Sequence, residues 1–568
     1  MERTWQVKER IEHGEAMADA GASESTEVYP ATAGFADGAT ARSGTCASSV
    51  TRGKKSNRPH RRTSAEMSVD TNHGRNHRGL AILLALGAAV LFVHLLTGTR
   101  YGFHRDELAT LDDARHLAWG YVAYPPVTPF FGRLSLKLFG TSLTGFRFFA
   151  AVSTSVAIFL TGLMARALGG KTGSQALAAA AAIPFALGAG SLMQYVSFDY
   201  LAWVACSYFF IRLCKSRDPR WWLAIGGCIG FGMLTKYSML VCALAIAAAV
   251  LFTDLRTHLR SKWLWLGVAL SLFIFLPNLI WQVRNDFVSL DFLRHIHERD
   301  VRIGRTKNFL PDQLELTLFT LPLAILGLVF YFGSERGRPY RAIGCLYVIP
   351  LVIFFVAKGR GYYLAPAYPV LYAGGAVFGA ELIANVRPVP RILLRWLAWA
   401  SVVTTIALAA AYFVPIAPVD SDWARRAFKV NEDFGEEIGW PELVQKLVQI
   451  RDSLGPAERS QFGILAGNYG EAGAINLYGK EYGLPEAICG TNSFWARGYG
   501  DPPPERLIVI GFSREFGDRY FESCELVGGI TNKYGIANEE TTDHPDILLC
   551  RHLRGNWPEF WKKFRRYG

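Results

Sequence analysis

Apolar residues in this chain gather in long blocks rather than alternating with polar ones. The first block, Gly79–Gly98, carries no charged residue. A helix needs about 20 residues to cross the hydrocarbon core of a bilayer, so this block reads as a span. Similar blocks follow at about 145–165, 173–193, 197–211, 221–235, 237–253, 263–281, 313–332, 342–357, 363–382 and 392–414. The pattern predicts eleven membrane helices. The fifth and sixth are short and are separated by Thr235-Lys236-Tyr237.

The connecting segments set an orientation. With the N-terminus in the cytoplasm, the segments Arg212–Arg220, Arg256–Lys262, Glu335–Arg341 and Arg387–Arg395 fall inside, and all are short and rich in Lys or Arg. Two long loops, 99–144 and 282–312, fall outside, as does everything after Pro415. The predicted protein is a multi-pass protein of the plasma (inner) membrane, its N-terminus cytoplasmic and its C-terminal domain extracytoplasmic.

Two regions break the pattern. Residues 1–78 are rich in Ala, Gly, Ser, Thr and Arg without periodicity, and read as a disordered basic tail. Eight basic and two acidic residues lie between Arg52 and Arg78. A nucleic-acid arm is one reading of them; a cytoplasmic flank that orients the first helix is favoured. A chain starting at Met67 keeps every predicted helix. Residues 420–568 have ordinary charge density. Phe462–Ala466, Arg506–Gly511 and Asp546–Cys550 read as strands, and Pro441–Ser453 as a helix stopped by Gly455-Pro456. The prediction is therefore an all-α membrane domain over 79–415 and an extracytoplasmic α/β domain over 420–568. Cys489, Cys524 and Cys550 allow one disulfide and one free thiol there, with the pairing open.

Composition agrees. Of 568 residues, 51% are hydrophobic and 19% charged, which argues against a string of soluble domains. The net charge of +12 fits basic cytoplasmic loops better than a nucleic-acid partner. No Gly-x-x-x-x-Gly-Lys-[Ser/Thr] loop, His-Glu-x-x-His or paired Cys-x-x-Cys occurs. No cofactor is assigned, and a divalent metal lacks a dedicated ligand set. His295 and His297, near Glu298 and Asp300, could ligate a metal, but a solvated polar loop is the favoured reading.

Candidate chemistry collects at one edge of the membrane. The first outer loop reads Tyr101-Gly-Phe-His-Arg-Asp-Glu-Leu108, with a helix expected over Leu108–Trp119 and a second after Pro125-Pro126. Asp106 and Glu107 either favour a helix N-terminus or act on a substrate. Asp199, at the outer end of the fourth span, is a second acid on the same side. Lys236 suits lipid headgroups or a phosphate. Lys358-Gly-Arg360-Gly-Tyr362-Tyr363 places two cations and two rings where the ninth span ends, a set that fits a phosphate and a sugar.

The segments His104-Arg-Asp-Glu-Leu108, Arg115-His-Leu-Ala-Trp-Gly-Tyr121 and Pro125-Pro126 resemble the polytopic GT-C glycosyltransferases, in particular the dolichyl-phosphate-mannose–protein mannosyltransferase family and its bacterial relatives such as the lipid A aminoarabinose transferase. Supporting segments are Leu234-Thr-Lys-Tyr-Ser238, Pro277-Asn-Leu-Ile-Trp-Gln282, Gly361-Tyr-Tyr-Leu-Ala-Pro366 and Gly467-Asn-Tyr-Gly-Glu-Ala-Gly473. The resemblance implies transfer of a sugar from a polyprenyl-phosphate carrier to an acceptor hydroxyl on a lipid, glycan or protein, with inversion. It implies Asp106 as the catalytic carboxylate beside Glu107, with Asp199 as a second, orienting acid; Lys236, Lys358 and Arg360 are the candidates for the donor phosphate that such a reaction requires, and Tyr362 and Tyr363 for phosphate or sugar. Ala123-Tyr124 departs from relatives that carry a polar or acidic residue there. A secondary transporter or lipid flippase is the main alternative, but transporters place their charges near the midplane, whereas the spans here are nearly free of acids. A non-catalytic membrane scaffold is a further alternative.

Overall fold

The structure is a computed structural model that describes residues 66–459 and 461–568. Of the predicted disordered tail, residues 1–78, the first 65 lie outside the described residues, while 66–78 are helical, the start of the helix Glu66–Thr97 that runs on into the first apolar block. All eleven predicted blocks are helical. Among the described residues nine helices are long and apolar enough to cross a membrane: His77–Thr97, Leu143–Ala167, Thr172–Ala189, Tyr195–Ser216, Lys262–Arg284, Phe309–Gly333, Arg338–Val356, Gly361–Ala384 and Pro388–Phe413. The other two, Trp221–Met233 and Met239–Phe252, have 13 and 14 residues. At about 1.5 Å per residue each covers roughly 20 Å, short of the ~30 Å core. Met239–Phe252 continues, after a bend of 101°, into Asp254–Arg260, and counting that pair as one span gives ten.

Burial separates inner from outer helices. Tyr200, Trp203 and Phe210 of Tyr195–Ser216 are buried against Ala157, Ile158 and Ala165 of Leu143–Ala167 and against Val370, Ala373 and Ala376 of Gly361–Ala384, within one core. By contrast Trp265, Leu272 and Phe273 of Lys262–Arg284, and Ile392 and Trp396 of Pro388–Phe413, are exposed. Helices satisfy their backbone polar groups internally, so such apolar faces suit hydrocarbon.

The first loop forms two helices, Arg105–Arg115 and Val127–Phe139. The first begins three residues earlier than the hydrophobic pattern predicts. His104, an uncommon cap, is the cause: its Nδ1 accepts from the Asp106 N–H at 3.1 Å, while the Glu107 carboxylate accepts from the His104 N–H at 3.0 Å. The two bonds satisfy orphan donors of the first turn.

The C-terminal region holds a five-stranded sheet: β1 (Phe462–Ala466), β2 (Ile488–Cys489), β3 (Arg506–Ile510), β4 (Phe521–Gly529) and β5 (Asp546–Leu553), in the order β2-β1-β3-β5-β4. β1 lies parallel to β2 and β3, while β5 is antiparallel to β3 and β4. Alternation along the strands divides two cores. Leu465, Leu507, Val509 and Leu548 pack with Trp557, Phe560 and Trp561. Ile464, Ile508, Ile510 and Leu549 pack with Trp440, Leu443 and Leu447, and this core continues into Leu108 and Leu111 of the loop helix. Cys524 and Cys550 form a disulfide, and Cys489 is free and buried.

Candidate active site

The loop helix Arg105–Arg115 presents its first turn to one end of the helix bundle. There the Asp106 carboxylate accepts two hydrogen bonds from different parts of the chain. The Tyr469 hydroxyl donates to Oδ1 at 2.8 Å, and Gln194 Nε2 donates to Oδ2 at 2.9 Å. The Tyr469 hydroxyl is pushed well above its ordinary pKa by burial and by the Asp106 charge, so it remains a donor. Asp106 itself is partly exposed.

Glu107 has a different environment. It is fully buried and paired with Arg147, whose Nε lies 2.9 Å and Nη2 2.5 Å from its two oxygens. The Met193 N–H adds a third donor at 2.8 Å. Arg147 also donates to the Gly98 and Gly102 carbonyls and to Glu437 at 3.1 Å. Burial raises the Glu437 carboxyl to about 7, against the pull of Arg147. Glu107 thus anchors the start of the loop helix to the end of Leu143–Ala167.

Gln194 is followed by Tyr195, whose ring begins the cationic part of the site. The Lys236 ammonium lies over three tyrosine rings: Tyr195 at 5.1 Å, Tyr362 at 4.9 Å and Tyr363 at 4.4 Å. Aromatic faces hold a cation without consuming its N–H donors. Lys236 forms no ion pair among the described residues. Asp199, buried, interacts electrostatically with Lys236 and accepts from Ser238 Oγ at 3.4 Å. Arg360 donates from Nε to Asp300 at 2.6 Å. Burial opposes the Arg360 charge, but the Asp300 hydrogen bond and nearby tyrosines outweigh it and its pKa rises.

The structure therefore gathers Lys236, Asp199, Tyr362 and Tyr363, with Arg360 adjoining, and connects them to Asp106 through Gln194-Tyr195. It leaves Lys358 out: that side chain is exposed, and the backbone there turns through φ 49°. The segment read as a polar loop is a helix, Val288–Arg302; there the His295 ring is tilted against Tyr567 at 5.7 Å, Asp300 pairs with Arg360, and no group of three or more metal-ligating side chains occurs among the described residues. Sequence reasoning missed Gln194 and Tyr469 as partners of Asp106, and Arg147 as the partner of Glu107. The Gly467–Gly473 segment held the signal for Tyr469.

Other segments that carry the family resemblance tie the loop down. Asn278 Nδ2 donates to the Trp119 carbonyl at 2.7 Å, and Gln282 Nε2 donates to Ser289 Oγ, which donates to the Tyr121 carbonyl at 2.8 Å. Tyr124, in the divergent Ala123-Tyr124 pair, donates to Asp113 at 2.7 Å.

Comparison with known proteins gives the class. Residues 123–281 match the family described as dolichyl-phosphate-mannose-protein mannosyltransferase. The lipopolysaccharide core galacturonosyltransferase RgtB of Rhizobium johnstonii is 29% identical over 224 residues, which is 38% of this chain and 45% of that protein. The undecaprenyl phosphate-alpha-4-amino-4-deoxy-L-arabinose arabinosyl transferase 1 of Pseudomonas fluorescens is 26% identical over 242 residues, 39% of this chain and 42% of that one. The chain thus spans under half the length of either curated relative. The crystal structure of ArnT from Cupriavidus metallidurans in the apo state superposes with a TM-score of 0.54 at 15% identity, covering 84% of this chain and 98% of that one. The same protein bound to undecaprenyl phosphate gives 0.52 at 16% identity, covering 83% and 97%. The fold is that of the polytopic GT-C glycosyltransferases. Over part of its length the chain is similar to these two curated glycosyltransferases.

Proposed function

We propose that this protein is a membrane glycosyltransferase that moves a sugar from a polyprenyl-phosphate carrier to an acceptor hydroxyl at the extracytoplasmic face. The observation that carries the reading is the Lys236 ammonium, held by three tyrosines with no carboxylate at ion-pair distance among the described residues, at the end of the bundle where Asp106 stands. It is an anion receptor whose donors are free for a phosphate. The ArnT of this fold that binds undecaprenyl phosphate supports a lipid phosphate as the anion.

The reaction follows from the groups present. Asp106 takes the proton of the acceptor hydroxyl as its oxygen attacks the anomeric carbon from the face opposite the phosphate. The bond from that carbon to the phosphate oxygen breaks, and the electron pair leaves with the phosphate. Lys236 and Arg360 stabilise the departing charge. Tyr362 and Tyr363 hold Lys236 and line the donor, and the Asp199 charge acts on the ammonium from beyond ion-pair distance. Attack from the opposite face inverts the anomeric centre. Glu107 supports the loop and stays out of the chemistry.

Lys236→Met keeps the chain length and removes the charge. Hydrogen bonds to charged groups contribute about 1.5–3 kcal/mol, so affinity for undecaprenyl phosphate is expected to fall roughly 10–100-fold, measured by native mass spectrometry of the detergent-solubilised protein. Unchanged affinity would remove Lys236 from the donor site. For the orientation, a cysteine at exposed Glu481 is expected to react with an impermeant thiol reagent in intact cells, and one at exposed Asp218 to be protected. The opposite pattern would reverse the proposed faces.

A further inference from the structure

We infer that the C-terminal α/β region completes the active site, with Tyr469 as a positioning residue that holds the Asp106 carboxylate, and that the segment Gly467–Gly473 is the device that docks it there; this rests on the reading of Asp106 as the base.

The segment explains itself residue by residue. β1 ends at Ala466, and the helix Tyr469–Tyr478 begins two residues after Gly467. Asn468 caps that helix: its side chain accepts from the Glu471 N–H at 2.9 Å, and the Glu471 carboxylate accepts from the Gly467 and Asn468 N–H groups at 2.8 and 3.3 Å. Burial pushes the Glu471 carboxyl up to about 7, against these backbone donors. The cap fixes Tyr469 as the first residue of the helix, aimed at the loop helix. Arg105 lies over its ring at 5.3 Å.

The glycines set the approach. A Cβ at Gly473 would lie 2.7 Å from the Leu108 carbonyl carbon, and one at Gly470 would lie 2.9 Å from Arg105 Cβ. Only helices lacking those carbons pack closely enough to bring the Tyr469 hydroxyl to 2.8 Å from Asp106. Motif and carboxylate are thus two halves of one contact.

Contacts on either side of Tyr469 also hold the loop helix to the C-terminal region. Arg105 pairs with Glu539, with Glu436 at 3.5 Å and with Glu540 at 3.6 Å. Asn476 donates to Asp112 at 2.8 Å, and its carbonyl accepts from Arg115 at 2.9 Å. Arg497 pairs with Asp112 and, at 2.7 Å, with Asp113. The loop helix is therefore held along its length by the C-terminal region, and Gly74–Gly568 form one compact unit. Only Tyr469 among these partners touches the proposed base.

The test uses the full chain in proteoliposomes and a panel of undecaprenyl-phosphate-linked neutral, acidic and amino sugars, with release of undecaprenyl phosphate as the readout. Tyr469→Phe keeps the ring and its packing but loses the donor. It is expected to lower kcat about 10–100-fold, with KM for the donor unchanged and thermal unfolding as in wild type. Gly473→Val is expected to lower kcat likewise by lifting the helix off Leu108, while binding of undecaprenyl phosphate at Lys236 persists. Wild-type kcat in Tyr469→Phe, with Asp106→Asn inactive, overturns this inference alone. A loss expressed wholly in KM or in unfolding temperature overturns it too, because that would make Tyr469 merely structural. Absence of turnover by wild type overturns it together with the proposed function.

Discussion

Asp106→Asn is expected to lower sugar transfer by at least about 10²–10⁴-fold while the protein still inserts and folds, the range a positioned general base contributes. The fold survives because the change is nearly isosteric. The Asn amide oxygen still accepts from Tyr469 or Gln194, and the Gln194 amide can turn its oxygen toward the new N–H donors. What disappears is the negative charge that receives the acceptor proton. Glu107 cannot substitute for it, being fully buried and saturated by Arg147, Met193 and His104. The assay is turnover of an undecaprenyl-phosphate-linked sugar, with donor binding measured in parallel. Full activity would refute the mechanism. Lost donor binding with unchanged chemistry on the bound fraction would make Asp106 a positioning group.

Arg147→Met is expected to be the most destabilising single change near the site. It leaves Glu107, 0% exposed, and Glu437, 4% exposed, facing one another without their common cation. Breaking a buried ion pair on one side costs about 3–5 kcal/mol. The Gly98 and Gly102 carbonyls lose their donors as well. Arg147→Lys is expected to rescue only partly, because an ammonium cannot reproduce the forked geometry that spans both carboxylates and both carbonyls. Thermal unfolding in detergent is the measurement. A midpoint unchanged in Arg147→Met would show that the loop helix is anchored elsewhere.

Much of this architecture was legible because a membrane imposes a simple code. All eleven apolar blocks are helical, and Asp199, Lys236 and Arg360 stand near the ends of those helices. The span count was harder, because Trp221–Met233 and Met239–Phe252 are apolar throughout yet too short to cross alone. Length, not hydropathy, separates them from the rest. In the C-terminal sheet the three buried strands announced themselves, but β4 did not. It is an edge strand, Phe521-Glu-Ser-Cys-Glu-Leu-Val-Gly-Gly529, with one neighbour and several exposed polar positions. β2 has two residues, too few for any pattern.

Within the site, sequence neighbours were the misleading cue. Lys358 and Arg360 are two residues apart and read as a pair of donor-phosphate cations, yet the turn at Lys358 leaves its side chain exposed while Arg360 turns to Asp300 and the tyrosines. Asp106 and Glu107 likewise stand side by side in sequence and diverge completely in environment, since successive helix positions point about 100° apart. The partners Gln194 and Tyr469 were hidden for the opposite reason: 88 and 363 residues separate them from Asp106.

Under the proposed function, the protein transfers a sugar from a lipid carrier with Asp106 as the base. Mass spectrometry of envelope lipids and glycans tests it whatever the sugar and the acceptor are, using cells that lack the chain and cells complemented with wild type or Asp106→Asn. One glycosylated envelope species is expected to disappear when the chain is absent, while a polyprenyl-phosphate-linked sugar accumulates, and wild type but not Asp106→Asn is expected to restore the species. An envelope unchanged by loss of the chain, or one restored by Asp106→Asn, would contradict it.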